Sequence, residues 1–282
     1  MAETGLKIYA LAGSTQVHLL RPGTRWGKGA GSQTRESLSG AVRVGGLIVP
    51  NANVNLFPTD VGTCLLGTAG ANVLPASLGA LPTDLALTLG NSKASYAHTA
   101  WKVNELEVNL EINGALELNY KLVALTEPTA GAASAPAEIV RTTFEWYRGS
   151  VTGESAKKLQ RVALKFGNNI VGVPDLATKA SDKRYPTSIE PGPFTCSAEV
   201  DYQEPSGLDP GADELPPANL EIIAMNAATA AQTITISITG MKVPEEYFEA
   251  AAGAAWGQYK VPYELDDNMM SAVAITLDDG TP

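Results

Sequence analysis

Cysteine, histidine and aromatic side chains are all scarce in this 282-residue chain, which holds two Cys, two His and 6% Phe, Trp and Tyr. Cys64 and Cys196 lie far apart, with no second ligand at metal-like spacing. The sequence therefore offers no disulfide framework and no zinc site, and both residues read as small buried hydrophobes. His18 and His98 stand without a Ser, Cys or Asp arrangement of catalytic type. With no nucleophile elbow and no paired-acid motif, the sequence predicts a non-enzyme without a cofactor. Charge is sparse as well. Asp, Glu, Lys and Arg make up 18% and the formal net charge is −10, where about a quarter charged is usual. A nucleic-acid binder needs a basic footprint, which the chain lacks overall, so any DNA it meets should slide. No apolar run approaches the ~18 residues of a transmembrane helix. The start, Met1 to Lys7, lacks a basic region followed by an apolar run and predicts synthesis in a cytoplasm without standard export.

What the chain does have is alternation. From Trp101 to Leu125, Leu106, Val108 and Leu110 alternate with Glu105, Glu107, Asn109 and Glu111. Leu116, Leu118, Tyr120 and Leu122 then alternate with Glu117, Asn119 and Lys121. That is the period of a half-buried strand, and Asn113-Gly114 between the runs is a hairpin signal. A two-residue turn would set Leu110 against Glu117. A three-residue loop, Ile112 to Gly114 with Gly114 left-handed, instead pairs Leu110 with Leu116, Val108 with Leu118, Leu106 with Tyr120 and Glu105 with Lys121. The second register keeps each face uniform and is the expected one. The apolar face predicts a core or inter-subunit contact, and the wet face carries an excess of acids.

The rest of the chain also reads as mostly β. Strands are expected over Ile8 to Leu11, Ala41 to Val49 with a bulge at Gly45-Gly46, and Leu85 to Leu89. Further strands are expected over Ile139 to Val151, Val162 to Phe166, Phe194 to Tyr202, Leu220 to Met225, Thr233 to Gly240 and Ser271 to Leu277. Val140, Thr142, Phe144 and Trp146 should share one face. Short helices are expected over Thr59 to Gly67, capped by Thr59 or Asp60, and over Pro244 to Ala252. Pro22 to Ser32, Thr126 to Pro136 and Pro205 to Pro217 read as loops, and Tyr185 to Pro193 as a rigid connector. The Gly-rich Pro22 to Ser32 stretch lacks the spacing and the Ser or Thr of a phosphate loop. Asn168-Asn169 suggests a tight turn, and Arg161 with Lys157-Lys158 a contact to an acidic neighbour. Residues 1–38 form an expected N-terminal arm and 39–282 a β domain. Both long hairpins end in a Pro, an echo that suggests two pseudo-repeats, about 39–128 and 138–248.

The order of these parts resembles the major tail tube proteins of long-tailed bacteriophages. The resemblance runs through Asp60-Val-Gly-Thr-Cys-Leu-Leu-Gly67, Tyr96-Ala-His-Thr99, the Trp101 to Leu125 hairpin, Lys158 to Ile170, Pro186 to Ile189 and Phe194 to Tyr202. It covers roughly Ser37 to Tyr247 as short motifs, and the N-terminal arm departs from it. It implies a tail-tube-type β-sandwich or partial barrel with long hairpins and one or two short flanking helices. It also implies a homo-oligomer of hexameric rings, or trimeric pseudo-hexameric rings, stacked into the tail tube of a virion. The implied partners are a tape-measure protein and passing DNA in the lumen, and tail terminator and distal tail proteins at the ends. On this reading Glu107, Asn109, Glu111, Glu117 and Asn119 line the lumen, while Leu106, Val108, Leu110, Leu116, Leu118 and Tyr120 form the core or inter-subunit face. A terminator or adaptor ring is the alternative within the same class. A carbohydrate-binding sandwich is the alternative outside it, although Trp26, Trp101, Trp146 and Trp256 are scattered.

Overall fold

The computed structural model describes residues 8–12, 15–17, 20, 24–37, 40–91, 93–133, 142–152, 158–173, 186–203, 218–227, 231–244, 249–251 and 258–280. Its strands in chain order are β1 (Ile8–Ala12), β2 (Thr15–Val17), β3 (Arg25–Ser37), β4 (Gly40–Leu56), β5 (Leu85–Asn91) and β6 (Ala94–Glu111). They continue with β7 (Glu117–Val123), β8 (Thr129–Ala132), β9 (Phe144–Thr152), β10 (Lys158–Gly167), β11 (Val171–Val173) and β12 (Ser188–Glu190). The last six are β13 (Thr195–Gln203), β14 (Ala218–Asn226), β15 (Thr233–Met241), β16 (Glu249–Ala251), β17 (Gln258–Leu265) and β18 (Val273–Asp278). Helical structure among the described residues amounts to two 3₁₀ turns, Thr68–Gly70 and Met270–Ala272.

The 18-residue β6 is the axis of the fold. Its first half pairs with β5 and β8, and its second half with β7 and β10. From it the main sheet runs outward as β10-β13-β17-β16 on one side and β7-β4-β3 on the other, with β5-β1-β2 continuing from its first half. A four-stranded sheet, β18-β15-β14-β9, supplies the second layer. Among the described residues all pairings are antiparallel, and the sheets do not close into a barrel. The apolar faces of both sheets join one contiguous core that includes Leu106, Leu118, Phe166, Val200, Ile222 and Ile236. The fold is mostly β, as the alternation predicts, and sandwich-like, as the resemblance implies. The two hairpins whose sequences echo each other, β6–β7 and β14–β15, lie in different sheets.

The β6–β7 register is the expected one, with Leu106 against Tyr120, Val108 against Leu118 and Glu105 against Lys121. Leu106, Val108, Leu110, Leu116, Leu118 and Tyr120 are all buried, at 6% exposure or less. Each such side chain contributes about 1.5–3 kcal/mol on leaving water. Two details of the turn need correction. The left-handed residue is Asn113, at φ 64°, rather than Gly114. Asn tolerates that conformation, whereas a Cβ at Gly114 would lie 2.8 Å from Cγ of the exposed Glu111 side chain and 3.2 Å from the Glu111 carbonyl oxygen, so glycine gives the closest fit there. Leu110 and Leu116 are not ladder partners either. Leu110 pairs with Val162 of β10, and the start of β7 is captured by β9 through Leu116 N–H to Phe144 O at 2.8 Å.

Other segments depart from expectation for physical reasons. Residues 59–67 form an irregular turn, not a helix. The Asp60 carboxylate accepts from Thr63 N at 2.9 Å and Thr63 Oγ1 at 2.8 Å, and left-handed Leu65 and Gly67 interrupt any helical run. Residues 249–251 of the second expected helix pair with β17, where ladder bonds outweigh the weak stability of so short a helix; 245–248 lie outside the described residues. The expected loop at 22–32 contains the first half of β3, which pairs with β4; residues 38 and 39, at the expected domain boundary, lie outside the described residues. In the β3–β4 hairpin Ala30 pairs with Ile48 and Ser32 with Gly45, which puts an extra residue in β4 beside Gly46, where a bulge was expected. Part of the Thr126 to Pro136 loop is β8, and part of the Tyr185 to Pro193 connector is β12, paired with β11. Along β9, Phe144 is buried but Trp146 is exposed, because β9 bulges between Glu145 and Ser150. Val140 and the 205–217 loop lie outside the described residues.

Candidate functional site

Six neighbouring strands, β4, β7, β6, β10, β13 and β17, turn one face to the core and the other away from it. Register places the outward residues in rows. One row is Asn53, Lys121, Glu105, Gly167 and Thr195; the next is Asn55, Asn119, Glu107, Lys165, Ser197 and Glu264. A third holds Glu117, Asn109, Ala163, Glu199 and Pro262, and a fourth Glu111, Arg161, Asp201 and Lys260. The five residues expected on the wet face, Glu107, Asn109, Glu111, Glu117 and Asn119, therefore stand together. Glu111 is exposed and the other four are half-buried by their neighbours.

The face is less acidic than β6 and β7 alone suggest. Its rows interleave four bases with seven acids. Glu105 is flanked by Lys121, with which it forms a short ion pair, and by Lys165 at 3.3 Å. Burial pushes the Glu105 carboxyl up, but hydrogen bonds and charge from Lys121 and Lys165 outweigh it, and the net direction is down. The Glu105 hydrogen bond holds the Lys121 ammonium above its usual range. Further along, Arg161 meets Glu199 at 2.9 Å, Asp201 at 3.7 Å and Asn109 Oδ1 at 3.3 Å, and Lys260 meets Glu199 at 2.7 Å. The acidic neighbour expected for Arg161 thus lies on β13 of its own chain. Asp201 titrates above its usual range because of burial, with Glu199 adding to the shift and Arg161 opposing it. Glu107 and Glu111 form no ion pair among the described residues. Between β10 and β17 the rows leave a shallow groove of about 350 Å³, edged by Glu107, Arg161, Lys165, Glu199 and Glu264.

Sequence reading missed the β4 and β17 contributions to this face. Asn53 and Asn55 belong to a strand seven residues longer than expected at its C-terminal end. Strand β17 alternates Tyr259, Val261, Tyr263 and Leu265 with Lys260, Pro262 and Glu264, and Pro262 masks the pattern. Position 262 lies between the β16 pairing at residues 258–260 and the Lys242–Glu264 bridge, outside both sets of paired residues.

Cys64 and Cys196 are free and buried, and burial pushes both thiols up to about 12. His98 accepts Ala100 N–H at Nδ1 (2.9 Å) and contacts Thr126 Oγ1 through Nε2 at 3.0 Å; burial lowers its pKa. Asn168, expected in a simple turn, is a buried crosslink. Its Nδ2 donates to Val73 O at 2.9 Å and Val103 O at 2.8 Å, while Asn169 takes the left-handed conformation at φ 48°. Among the described residues no group of three or more His, Cys, Asp and Glu is placed to hold a metal ion, and no helix is long and apolar enough to cross a membrane. No protein-family model matches the chain, and no curated protein matches it.

Proposed function

We propose that the chain is a structural subunit that self-assembles into stacked rings forming a phage tail tube, the conduit for DNA ejection, with the polar rows of the main sheet toward the lumen. The observation that carries this reading is the two-faced sheet. Its apolar face is sealed within the chain's own core, while six strands present a continuous face of Asn, Glu and ion pairs in which acids outnumber bases. Such a surface suits a conduit. Net acidity repels phosphate, and lysines and arginines already held by carboxylates offer DNA little grip. Among the described residues the sheet also ends in unpaired edges at β3 and β16. Edges of this kind are a hazard in a monomer and a joint in a ring, where a neighbour's strand completes the ladder. On this reading the partners are further copies of the chain, a tape-measure protein, passing DNA, and terminator and distal proteins at the tube ends.

Negative-stain electron microscopy of the purified protein over a range of concentrations tests the proposal. Hollow tubes of constant width are expected, with an end-on average giving the ring symmetry. Single rings without stacking would transfer the chain to the adaptor or terminator class. Dispersed monomers at every concentration would overturn the assembly reading.

A further inference from the structure

Strand β7 covers β4 only over Asn51–Leu56. Beyond that point, among the described residues, β3 and β4 pair with each other alone, over Gly29–Ser37 and Gly40–Val49. At about 3.3 Å per residue this ribbon extends roughly 30 Å past its last sheet neighbour. A lone two-stranded ribbon is marginally stable in water, and a third strand or a packing surface is needed to hold it. At its base Val49, opposite Gly29, is half-buried and lies close to Gly172 of the same chain.

The charge of the ribbon points to what it packs on. Residues 25–50 carry Arg25, Lys28, Arg35 and Arg43 against one acid, Glu36, a formal +3 in a chain whose total is −10. The remainder of the chain therefore carries −13. Register sets Arg35 opposite Val42 and Arg43 opposite Thr34, so two of the bases sit near the tip. A basic ribbon projecting from an acidic body complements another copy of that body, and such complementarity guides and orients association.

We propose that the β3–β4 ribbon is a docking arm that seats on the acidic body of a second copy of this chain. The proposal rests on the self-assembly part of the function proposed above and not on the shape of the assembly.

The test is sedimentation velocity of the full-length chain and its R35E/R43E variant, with thermal melting followed by circular dichroism. Wild type should self-associate, more weakly by about tenfold when salt rises from about 50 to about 500 mM. The variant should associate about tenfold more weakly than wild type at low salt with an unchanged melt, and should lose most of the salt dependence. A second reading uses Ser37→Cys at the tip, whose maleimide labelling should be protected in the associated form and open in the dilute one. This reading decides the matter if R35E/R43E fails to fold. Equal association of variant and wild type, or a tip that labels equally in both forms, overturns the arm. Wild-type monomer at every concentration overturns both arm and tube, whereas charge-dependent dimers without tubes keep the arm and remove the tube. Association that requires added duplex DNA would assign the bases to nucleic acid and overturn the proposal.

Discussion

Tyr120 donates its phenolic hydroxyl to the main-chain carbonyl of Cys64 at 2.6 Å, with both residues buried. This bond ties the β6–β7 hairpin to the irregular turn at 59–67. The same turn reaches the four-stranded sheet through Val61 N–H to Gln232 Oε1 and Asn226 Nδ2 to Thr59 O. One loop thus fastens the two layers. Tyr120→Phe keeps the ring but strands the Cys64 carbonyl, so it should cost about 1–3 kcal/mol. Urea unfolding should show a lower midpoint at unchanged m-value.

Asn168 makes a comparable link through its side-chain amide, between the Val73 and Val103 carbonyls. Asn168→Asp removes the donor and turns a carboxylate toward two carbonyl oxygens. Asn168→Ala removes the donor alone. Both should destabilise, with Asp the worse of the two because an unpaired buried charge costs more than a lost neutral bond. Paired thermal melts at neutral pH decide the ranking.

At the hairpin tip, Asn113→Gly should be close to neutral or slightly stabilising. Asn113→Ala should cost about 1–2 kcal/mol, because φ 64° puts its Cβ against the backbone. Equal melting temperatures for the two variants would show that the turn relaxes away from this conformation.

Glu105 and Asp201 predict opposite acid responses. The folded pKa of Glu105 lies below its ordinary value of 4.5. Its stabilisation is present above that value and lost as pH falls through the lower folded one. Glu105→Gln should therefore flatten the loss of stability below about pH 4.5. The folded pKa of Asp201 lies above its ordinary 3.8, so its contribution is present below that value and lost as pH rises through the folded one. Asp201→Asn should remove this loss and leave the acid limb steeper than in wild type. Denaturation series across pH 3 to 7 separate the two.

On the proposed function, tubes carrying E107Q, E111Q and E117Q should assemble as wild type does but retain duplex DNA at low salt. Fewer acids would then oppose the four bases of the face. Co-sedimentation of DNA with preformed tubes checks this, and unchanged release would remove these acids from the lumen.

Much of this was legible in sequence because a strand's period of two fixes which side chains share a face. That rule located β6, β7, β13 and β15, and uniform faces gave the Glu105–Lys121 pairing without coordinates. The composition showed equally that the acids on β6 and β7 lie on the wet side. Only tertiary structure decided which strands neighbour which. Pairing of β10, β13 and β17 beside β6 brings Arg161, Lys165 and Lys260 among those acids, so the stripe becomes a face of ion pairs that keeps a net acidity. Long-range pairing also overrode local signals. Residues 249–251 became strand because β17 offered them backbone partners, and residues 59–67 stayed irregular because the Asp60 carboxylate and left-handed Leu65 suit a turn that must reach two sheets. Local periodicity is written residue by residue along the chain, whereas a backbone partner dozens of residues away has no local signature.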